Sequence, residues 1–435
     1  MIFLWVNKRS WKHPGPIVNI GVRNAHSFAS IGCETHFVVG ANDAENAVKT
    51  DVKHTENSTN FDLENFYGLP PKNSLHIHRI ARWKLGKSRL SVPIFLRAAR
   101  LANELSRRDR VALITRETGF LPYLARLVRR NPRISGFYEA HDFFADLSWK
   151  NRDEIKLADR RLRWLERRFL TRISGLICIT HEQQKLYRKL FPNLASCAAS
   201  LGTEVFEKNE NAAEISARTE KRRSLRRIVY VGHLHGSKGV SMLIKAAPRL
   251  AEKNVRAAFW GGSEKQITKF QKQIKRLGAA EFVEFAGFRP PEELHRALAS
   301  EASIGVVPLQ DTFYNRYLTC PVKALDYLSH GLPAIGSDLP SVREVLADAG
   351  RYAPPNDADA LVAQVLALLD DAALYETASA AARARARELS WPERAKKIAH
   401  FVESVDENSG EKVDENFSEK TVAAHENRES RAAHS

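Results

Sequence analysis

The sequence predicts an α/β protein made of two doubly wound parallel-sheet domains that face each other across a cleft. Short β-branched or aromatic runs alternate with amphipathic helical stretches through most of the 435 residues, the pattern of parallel sheets covered on both faces. The alternation runs through twice. Between the two runs lies Glu204 to Arg226, a polar stretch without apolar periodicity that is rich in Lys and Arg at its end (Lys221, Arg222, Arg223, Arg226) and reads as a linker.

Strands of the first half are expected near Ile2 to Val6, His36 to Gly40, Leu75 to Ile80, Val111 to Thr115, Ile134 to Glu139 and Gly175 to Thr180. Those of the second are expected near Arg227 to Val231, Arg256 to Trp260, Phe282 to Ala286, Ser303 to Val307, Pro333 to Gly336 and Gly350 to Ala353. Asp357 to Glu388 is helical and alanine-rich, and Trp391-Pro-Glu393 opens one more helix, with Pro392 suited to its first turn. From Val405 a polar eight-residue near-repeat begins that buries too little to order itself. The expected layout is a first domain over 1–203, a linker over 204–226, a second domain over 227–389, a helix over 390–403 and a disordered tail over 404–435.

Hydrophobic residues are 43% and charged residues 27% of the chain, close to globular averages, which excludes wholesale disorder. No apolar run approaches the roughly 18–20 residues that span a bilayer. Met1 to Val6 is cut off by Asn7, Lys8 and Arg9, too short for a signal-peptide core, and reads as a strand. Cys33, Cys178, Cys197 and Cys320 have no C-x-x-C spacing, so a reducing cytoplasm is the simplest setting. Lys plus Arg exceeds Asp plus Glu, 67 against 51, for a formal charge of +16, which favours anionic partners. From Arg79 to Arg133 there are fifteen basic residues against three acidic ones. A second cluster, Arg160, Arg161, Arg163, Arg167, Arg168 and Arg172, interleaves with Ile155, Leu162, Leu165 and Phe169 as on an amphipathic helix. A solvated face on a buried helix explains this cluster equally well.

Three elements of the second half carry candidate chemistry. Strand Ile228 to Val231 runs into Gly232-His-Leu-His-Gly-Ser-Lys-Gly239 and then a helix. Such a turn lets backbone N–H groups approach a phosphate, and Lys238 adds a full charge. It is neither the dinucleotide fingerprint nor a P-loop, and an ordinary tight turn has the same residues. Trp260-Gly-Gly-Ser263 follows the next strand, where Gly262 admits a ligand closely or simply turns the chain. In Thr319-Cys-Pro-Val-Lys-Ala-Leu-Asp326, Pro321 suits a first helical turn whose amides would meet an anion. Lys323 and Asp326 share one helix face, either as a site or as a surface pair. A carboxylate there suits two ribose hydroxyls.

The order and intervals of these elements, together with Val345 and Ala349 to Asp357, closely resemble the nucleotide-sugar-binding domain of the retaining GT-B glycosyltransferases (family 4-like), commonly labelled glycosyl transferases group 1. The similarity spans about Arg227 to Val402. It implies two Rossmann-like domains and transfer of a hexose from a nucleoside diphosphate to an acceptor with retention. By resemblance, Gly232, His233 and Lys238 would hold the donor diphosphate together with the stretch of Thr319, Pro321, Val322 and Lys323, whose non-proline amides would donate to it. Asp326 would hold the ribose, with Gly262 at the donor site. His141, in Gly136-Phe-Tyr-Glu-Ala-His-Asp142 at a strand end, resembles the histidine beside the donor sugar, and with Lys238 it is the catalytic candidate. His13 and Gly15, in the loop after the first strand, are acceptor-side candidates.

Two positions depart from the pattern. His233 stands where many relatives carry Arg, and Leu318 with Asp326 stands where they carry paired acidic residues. A branch with Pro-x-Lys before the second carboxylate also lacks the first, and Pro321-Val-Lys323 matches it. No cofactor is expected: Asp357-Ala-Asp359 reads as a helix N-cap, and His54, His76 and His78 lack zinc-like spacing with cysteine. The expected partners are the sugar nucleotide, a glycan or lipid-linked acceptor and an anionic membrane surface at the cytoplasmic face, with no nucleic acid. A sugar-nucleotide epimerase or phosphorylase of similar architecture, or a non-catalytic nucleotide or polyanion binder, are the alternatives.

Overall fold

The structure is a computed structural model, and it describes residues 1–13, 15–42, 62–85, 88–206 and 211–407. The first lobe holds β1 (Ile2–Ser10), β2 (Thr35–Gly40), β3 (Leu75–Ile80), a small antiparallel hairpin β4 (Trp83–Leu85) and β5 (Ser88–Leu90), then β6 (Val111–Thr115), β7 (Ile134–Ala140), β8 (Gly175–Cys178) and β9 (Ser196–Ala198). Its seven-stranded parallel sheet has the order β3-β2-β1-β6-β7-β8-β9. The second lobe holds β10 (Arg227–Val231), β11 (Arg256–Trp260), β12 (Val283–Gly287), β13 (Ile304–Val307), β14 (Ala334–Ser337) and β15 (Gly350–Ala353). Its six parallel strands have the order β12-β11-β10-β13-β14-β15. The predicted α/β class with two Rossmann-like sheets is therefore the observed one.

Each sheet is a buried layer with helices on both faces, which is why its strands read as near-continuous apolar runs. In the first lobe one face packs Leu4, Val38, Leu113 and Leu176 under the helices Val92–Leu105 and Leu121–Arg130. The other face packs Phe3, Trp5, Phe37 and Ile177 against the helix Pro16–Ser30 and the helix over 391–407. In both sheets the order reverses beside the first strand, between β1 and β6 and between β10 and β13. Loops leaving the carboxyl ends of those strands splay apart there, where ligands of doubly wound folds bind.

Beyond shifts of one or two residues at strand ends, three boundaries differ from expectation. The stretch expected as a linker carries a helix, Ala212–Ser224, opened by a capping box in which Asn211 and Glu214 exchange backbone-to-side-chain bonds of 3.0 and 2.9 Å. Its apolar periodicity is absent because of this helix only Thr219 and Arg222 are buried; the Arg222 guanidinium donates to the carbonyls of His330 and Ala299. The last helix crosses back to the first lobe and runs to 407, past the boundary expected at 403. Asp406, expected in a disordered tail, is 6% exposed and accepts from Ser135 at 2.6 Å and Arg110 at 2.6 Å. The rest of that tail, from 408 on, lies outside the described residues. β1 continues to Ser10, four residues beyond the expected end, because its edge bonds to β2 resume at Ser10 after a register shift.

Arg394 in this crossing helix is 4% exposed. It donates to Glu139 at 3.1 Å, to the Ser200 carbonyl at 2.9 Å and to the amide oxygen of Asn24. A buried charge is tolerated only when paired in this way. The interlobe seam adds a 2.6 Å bond from Thr180 Oγ1 to the Tyr317 carbonyl, a His181–Glu344 contact at 2.8 Å and a Trp149–Phe313 ring stack at 4.9 Å. Leu318 is buried, and its side chain joins the core of the first lobe. The position that would be acidic in the resembling family is thus an apolar contact between lobes.

Candidate functional site

The strand β10 ends at Val231, and Gly232 turns the chain at φ 126°, a conformation that only glycine adopts without strain. Tyr230 donates its hydroxyl to the carbonyl of His233 at 2.7 Å and so sets the path of the turn. His235 then caps a short 3-10 turn, Gly236–Lys238, and Gly239 at φ 74° opens the helix Val240–Glu252. A Cβ on Gly239 would overlap the Pro308 carbonyl, so the loop leaving β13 lies directly on this turn. Ser237 O accepts from Gln310 N at 3.3 Å and from Asn315 Nδ2 at 2.8 Å. The loops of the two strands that flank the switch point are therefore bonded into one floor.

Asn315 belongs to a π-helical turn, Tyr314–Leu318, the kind of irregularity that concentrates at functional sites. Thr319 Oγ1 donates back to the Tyr314 carbonyl at 3.2 Å and lies 3.3 Å from Asn315 Oδ1. Its side chain is committed to this turn. Pro321 stands one position before the helix Val322–Ser329, at its N-cap, where the first-turn position was expected. The Ala324 amide already bonds the Pro321 carbonyl at 2.8 Å, so the amides of Val322 and Lys323 precede the intrahelical ladder.

Lys238 and Lys323 converge on this floor. The Lys323 ammonium sits 5.1 Å over the Tyr230 ring, and a Cβ on Gly232 would lie 3.8 Å from its Nζ. Both ammoniums are half-buried. Burial pulls Lys238 below the ordinary lysine range, and burial with repulsion from Lys238 pulls Lys323 down to about 8, against the attraction of Asp326. Burial raises the Asp326 carboxyl to about 6, with Lys323 and Arg23 pulling it back. Among the described residues neither ammonium has a carboxylate within ion-pair distance. Asp326 answers these two positive charges only in part.

Arg23 reaches this group from the first lobe, on the helix Pro16–Ser30, where it donates to Asn19 at 3.0 Å and to the Tyr67 carbonyl at 3.2 Å, and pairs with Glu204. Nothing in the sequence singles it out. His141 follows β7 at the sheet edge with its Nε2 2.9 Å from Glu139 Oε1. Although burial opposes it, Arg394 and His141 hold Glu139 down at about 2, so that carboxylate is ionised and only accepts. The His141 proton therefore resides on Nε2 and Nδ1 carries a lone pair. Burial, with Arg116, pulls His141 below its ordinary range and keeps the ring neutral at pH 7. Burial, with Asp142 beside it, raises the hydroxyl of Tyr314 in the other lobe to about 12.

The remaining candidates are placed differently. His233 is exposed at the turn. Gly262 has φ 90°, but the space of its missing Cβ is filled by Leu234 at 2.6 Å, so its bareness serves packing of the turn and not approach of a ligand. His13 is folded back locally: its Nδ1 accepts from the Gly15 amide at 3.0 Å, and Gly15 caps the helix Pro16–Ser30. Asp357 caps the helix Ala358–Asp370 by accepting from Asp359 N at 3.1 Å and Ala360 N at 2.9 Å.

Residues 225–371 match the family described as Glycosyl transferases group 1. Over 169 residues the chain is 27% identical to O-antigen chain mannosyltransferase B of Escherichia coli, covering 38% of this chain and 42% of that relative. The chain thus spans less than half the length of this curated relative. HepE of Anabaena, solved with UDP and glucose, superposes at TM-score 0.61 with 16% identity over 93% of this chain and 100% of that one. Sucrose-phosphate synthase of Thermosynechococcus elongatus superposes at TM-score 0.64 with 16% identity over 93% of this chain and 98% of that one. The fold is that of GT-B glycosyltransferases, and the match to glycosyl transferases group 1 falls within the second lobe.

Proposed function

We propose that the protein moves a sugar from a nucleoside diphosphate sugar to a glycan or lipid-linked acceptor with retention of configuration at the anomeric carbon. The observation that carries this reading is the pair of lysines, Lys238 and Lys323, crowded over a glycine turn at the switch point, with Asp326 as a nearby attraction for Lys323 but no ion pair to either ammonium among the described residues. A diphosphate supplies the missing charge, and the amides of Val322 and Lys323 add donors at the start of a helix. Asp326, ionised above about pH 6, is suited to accept from the two ribose hydroxyls. The nucleotide bound by HepE and the activity named for the mannosyltransferase are of the same class.

In the reaction the bond from the anomeric carbon to the β-phosphate oxygen breaks as the acceptor oxygen bonds to that carbon. The charge that develops on the departing diphosphate falls on Lys238, Lys323 and the helix amides, so no protein nucleophile is needed. The acceptor proton passes to the departing phosphate oxygen on the same face. His141, with a lone pair at Nδ1, accepts a hydroxyl of the donor sugar and positions it.

The acceptor side falls to the basic first lobe. On the helix Leu157–Phe169, Arg160, Arg161, Arg163, Arg167 and Arg168 are exposed together with Leu157 (84% exposed) and Trp164 (58% exposed). Two large apolar side chains one heptad apart among arginines suit an anionic membrane surface. No helix among the described residues is long and apolar enough to cross a membrane. Vesicle flotation is expected to recover more protein with anionic than with neutral lipid, and equal recovery would remove the membrane part.

The transfer is tested by incubating UDP-, GDP-, ADP- and TDP-sugars with glycan and polyprenyl-linked acceptors. Nucleoside diphosphate released only when acceptor is present is the expected outcome. Isomerised donor would indicate an epimerase, and donor binding without turnover across the panel a binding protein.

A further inference from the structure

At the opposite end of the first sheet from the cleft, the parallel register of β2 and β3 sets His36 directly across from His76. Glu34 precedes β2 by one residue, and its Oε1 lies 3.2 Å from Nε2 of His36. The rings of His36 and His76 stack with centroids 4.7 Å apart. One ligand atom from each of Glu34, His36 and His76 falls within 4.8 Å of the other two. A transition-metal ion reaches such atoms at roughly 2.0–2.2 Å, so shifts of about an ångström or less gather all three around one centre. His36 is buried while His76 is exposed, which gives the cluster a fixed base and an open approach.

The surroundings orient the cluster as a binding site requires. Nδ1 of His36 lies 3.0 Å from Nε2 of His78, whose ring stacks on it at 12°. With the His36 proton on Nδ1 and donated to His78, the Nε2 lone pair is directed towards Glu34, and the His76 ring lies stacked alongside. Metal-binding histidines commonly have such an outer hydrogen-bond partner, which fixes tautomer and ring plane. Glu34 is held in turn by Arg108, which donates to Oε1 at 2.9 Å and Oε2 at 3.0 Å. Arg108 is exposed, so the guanidinium can keep Oε2 while Oε1 turns to an ion.

We propose that Glu34, His36 and His76 bind a divalent transition-metal ion, Zn²⁺ foremost, with water completing the coordination. Two imidazole nitrogens and one carboxylate oxygen form a borderline donor set that suits zinc, with copper and nickel as chemical competitors and calcium and magnesium disfavoured. The site lies far along the strands from the lysine pair, so the ion acts on the fold and takes no part in sugar transfer. It ties β3, the edge strand of the sheet, to β2 and to the loop that carries Arg108. Edge strands are the least restrained part of a sheet, and this one is fixed by the ion. The inference is independent of the proposed transferase activity.

The test uses the untagged full chain freed of metal by a chelator. Titration with Co²⁺ is expected to give visible absorption bands that saturate at one equivalent and are displaced by Zn²⁺. His76→Ala, an exposed change that leaves the sheet intact, and Glu34→Gln are each expected to weaken binding at least tenfold. The exposed change His400→Ala, which removes a histidine outside the cluster, is expected to leave it unaltered. Zn²⁺ is expected to raise the melting temperature of the wild type and of His400→Ala, but not that of His76→Ala. Absence of a stoichiometric band, or binding that survives both cluster substitutions unchanged, would overturn the site.

Discussion

The carboxyl edges of the two sheets are built on the same plan and differ in how their charges are answered. In the first lobe the charged groups answer one another: Glu139 lies between His141 and Arg394, and Asp62 accepts from the Trp11 indole at 2.8 Å and pairs with Lys12. In the second lobe Lys238 and Lys323 press on one another with Asp326 nearby. In the first arrangement each charge is paired, and Glu139 fixes the ring of His141. In the second, neither ammonium has an ion pair among the described residues, which is the ground for proposing it as the diphosphate site. The comparison teaches that unpaired charge, more than charge itself, marks where an ionic ligand would bind.

The largest expected effect breaks the answered side. Arg394→Met leaves Glu139 as a buried carboxylate without its guanidinium, which costs about 3–5 kcal/mol. Chemical denaturation should register that loss together with release of the crossing helix. On the unanswered side, Lys238→Ala should lower turnover about 10²- to 10³-fold while the melting temperature stays within a degree or two. Near-wild-type turnover would remove the role given to Lys238.

The pH dependence of donor affinity sharpens the same contrast. Sugar nucleotides do not titrate between pH 5 and 9 at the diphosphate, so the protein groups set the profile. Asp326, at about 6, must be ionised to accept ribose hydroxyls, so affinity should fall as pH drops below that value, by up to about tenfold per unit. Lys323, at about 8, must be protonated, so affinity should fall again as pH rises beyond it. Asp326→Asn is expected to flatten the acid limb and Lys323→Met the alkaline limb, each with lower affinity on the plateau. Calorimetric titration from pH 5 to 9 checks both; a wild-type profile flat across that range would contradict the assignment.

The smallest effect concerns the seam between lobes. Thr180 Oγ1 caps the helix His181–Leu190 by accepting from Gln183 N at 3.0 Å and donates to the Tyr317 carbonyl. Thr180→Val should cost about 1 kcal/mol and leave donor affinity unchanged.

Much of the architecture was legible because it rests on local signals. Buried parallel strands such as Val111–Thr115 and Arg256–Trp260 announce themselves as apolar runs, and the glycines at 232 and 239 mark the turn at the switch point. Elements held by tertiary contacts gave no such signal. Ser196–Ala198 is a three-residue edge strand without β-branched residues, and the helix Ala212–Ser224 has almost no buried face. At the site, the lysines and Asp326 could be read from motif spacing. Arg23, Tyr314 and Arg394 could not, since each acts from an element distant in sequence. The same reason hid the His36–His76 pair: forty residues separate them in the chain, and only the strand register joins them.

The central claim is that Lys238 and Lys323 await a diphosphate. Calorimetry of nucleoside diphosphate binding at pH 8.5, repeated in buffers of different ionisation enthalpy, tests it most directly. Binding should be accompanied by uptake of a fraction of a proton as the anion raises the depressed Lys323, and both affinity and proton uptake should be lost in Lys238→Met with Lys323→Met. Binding that takes up no proton and survives both substitutions would contradict the account.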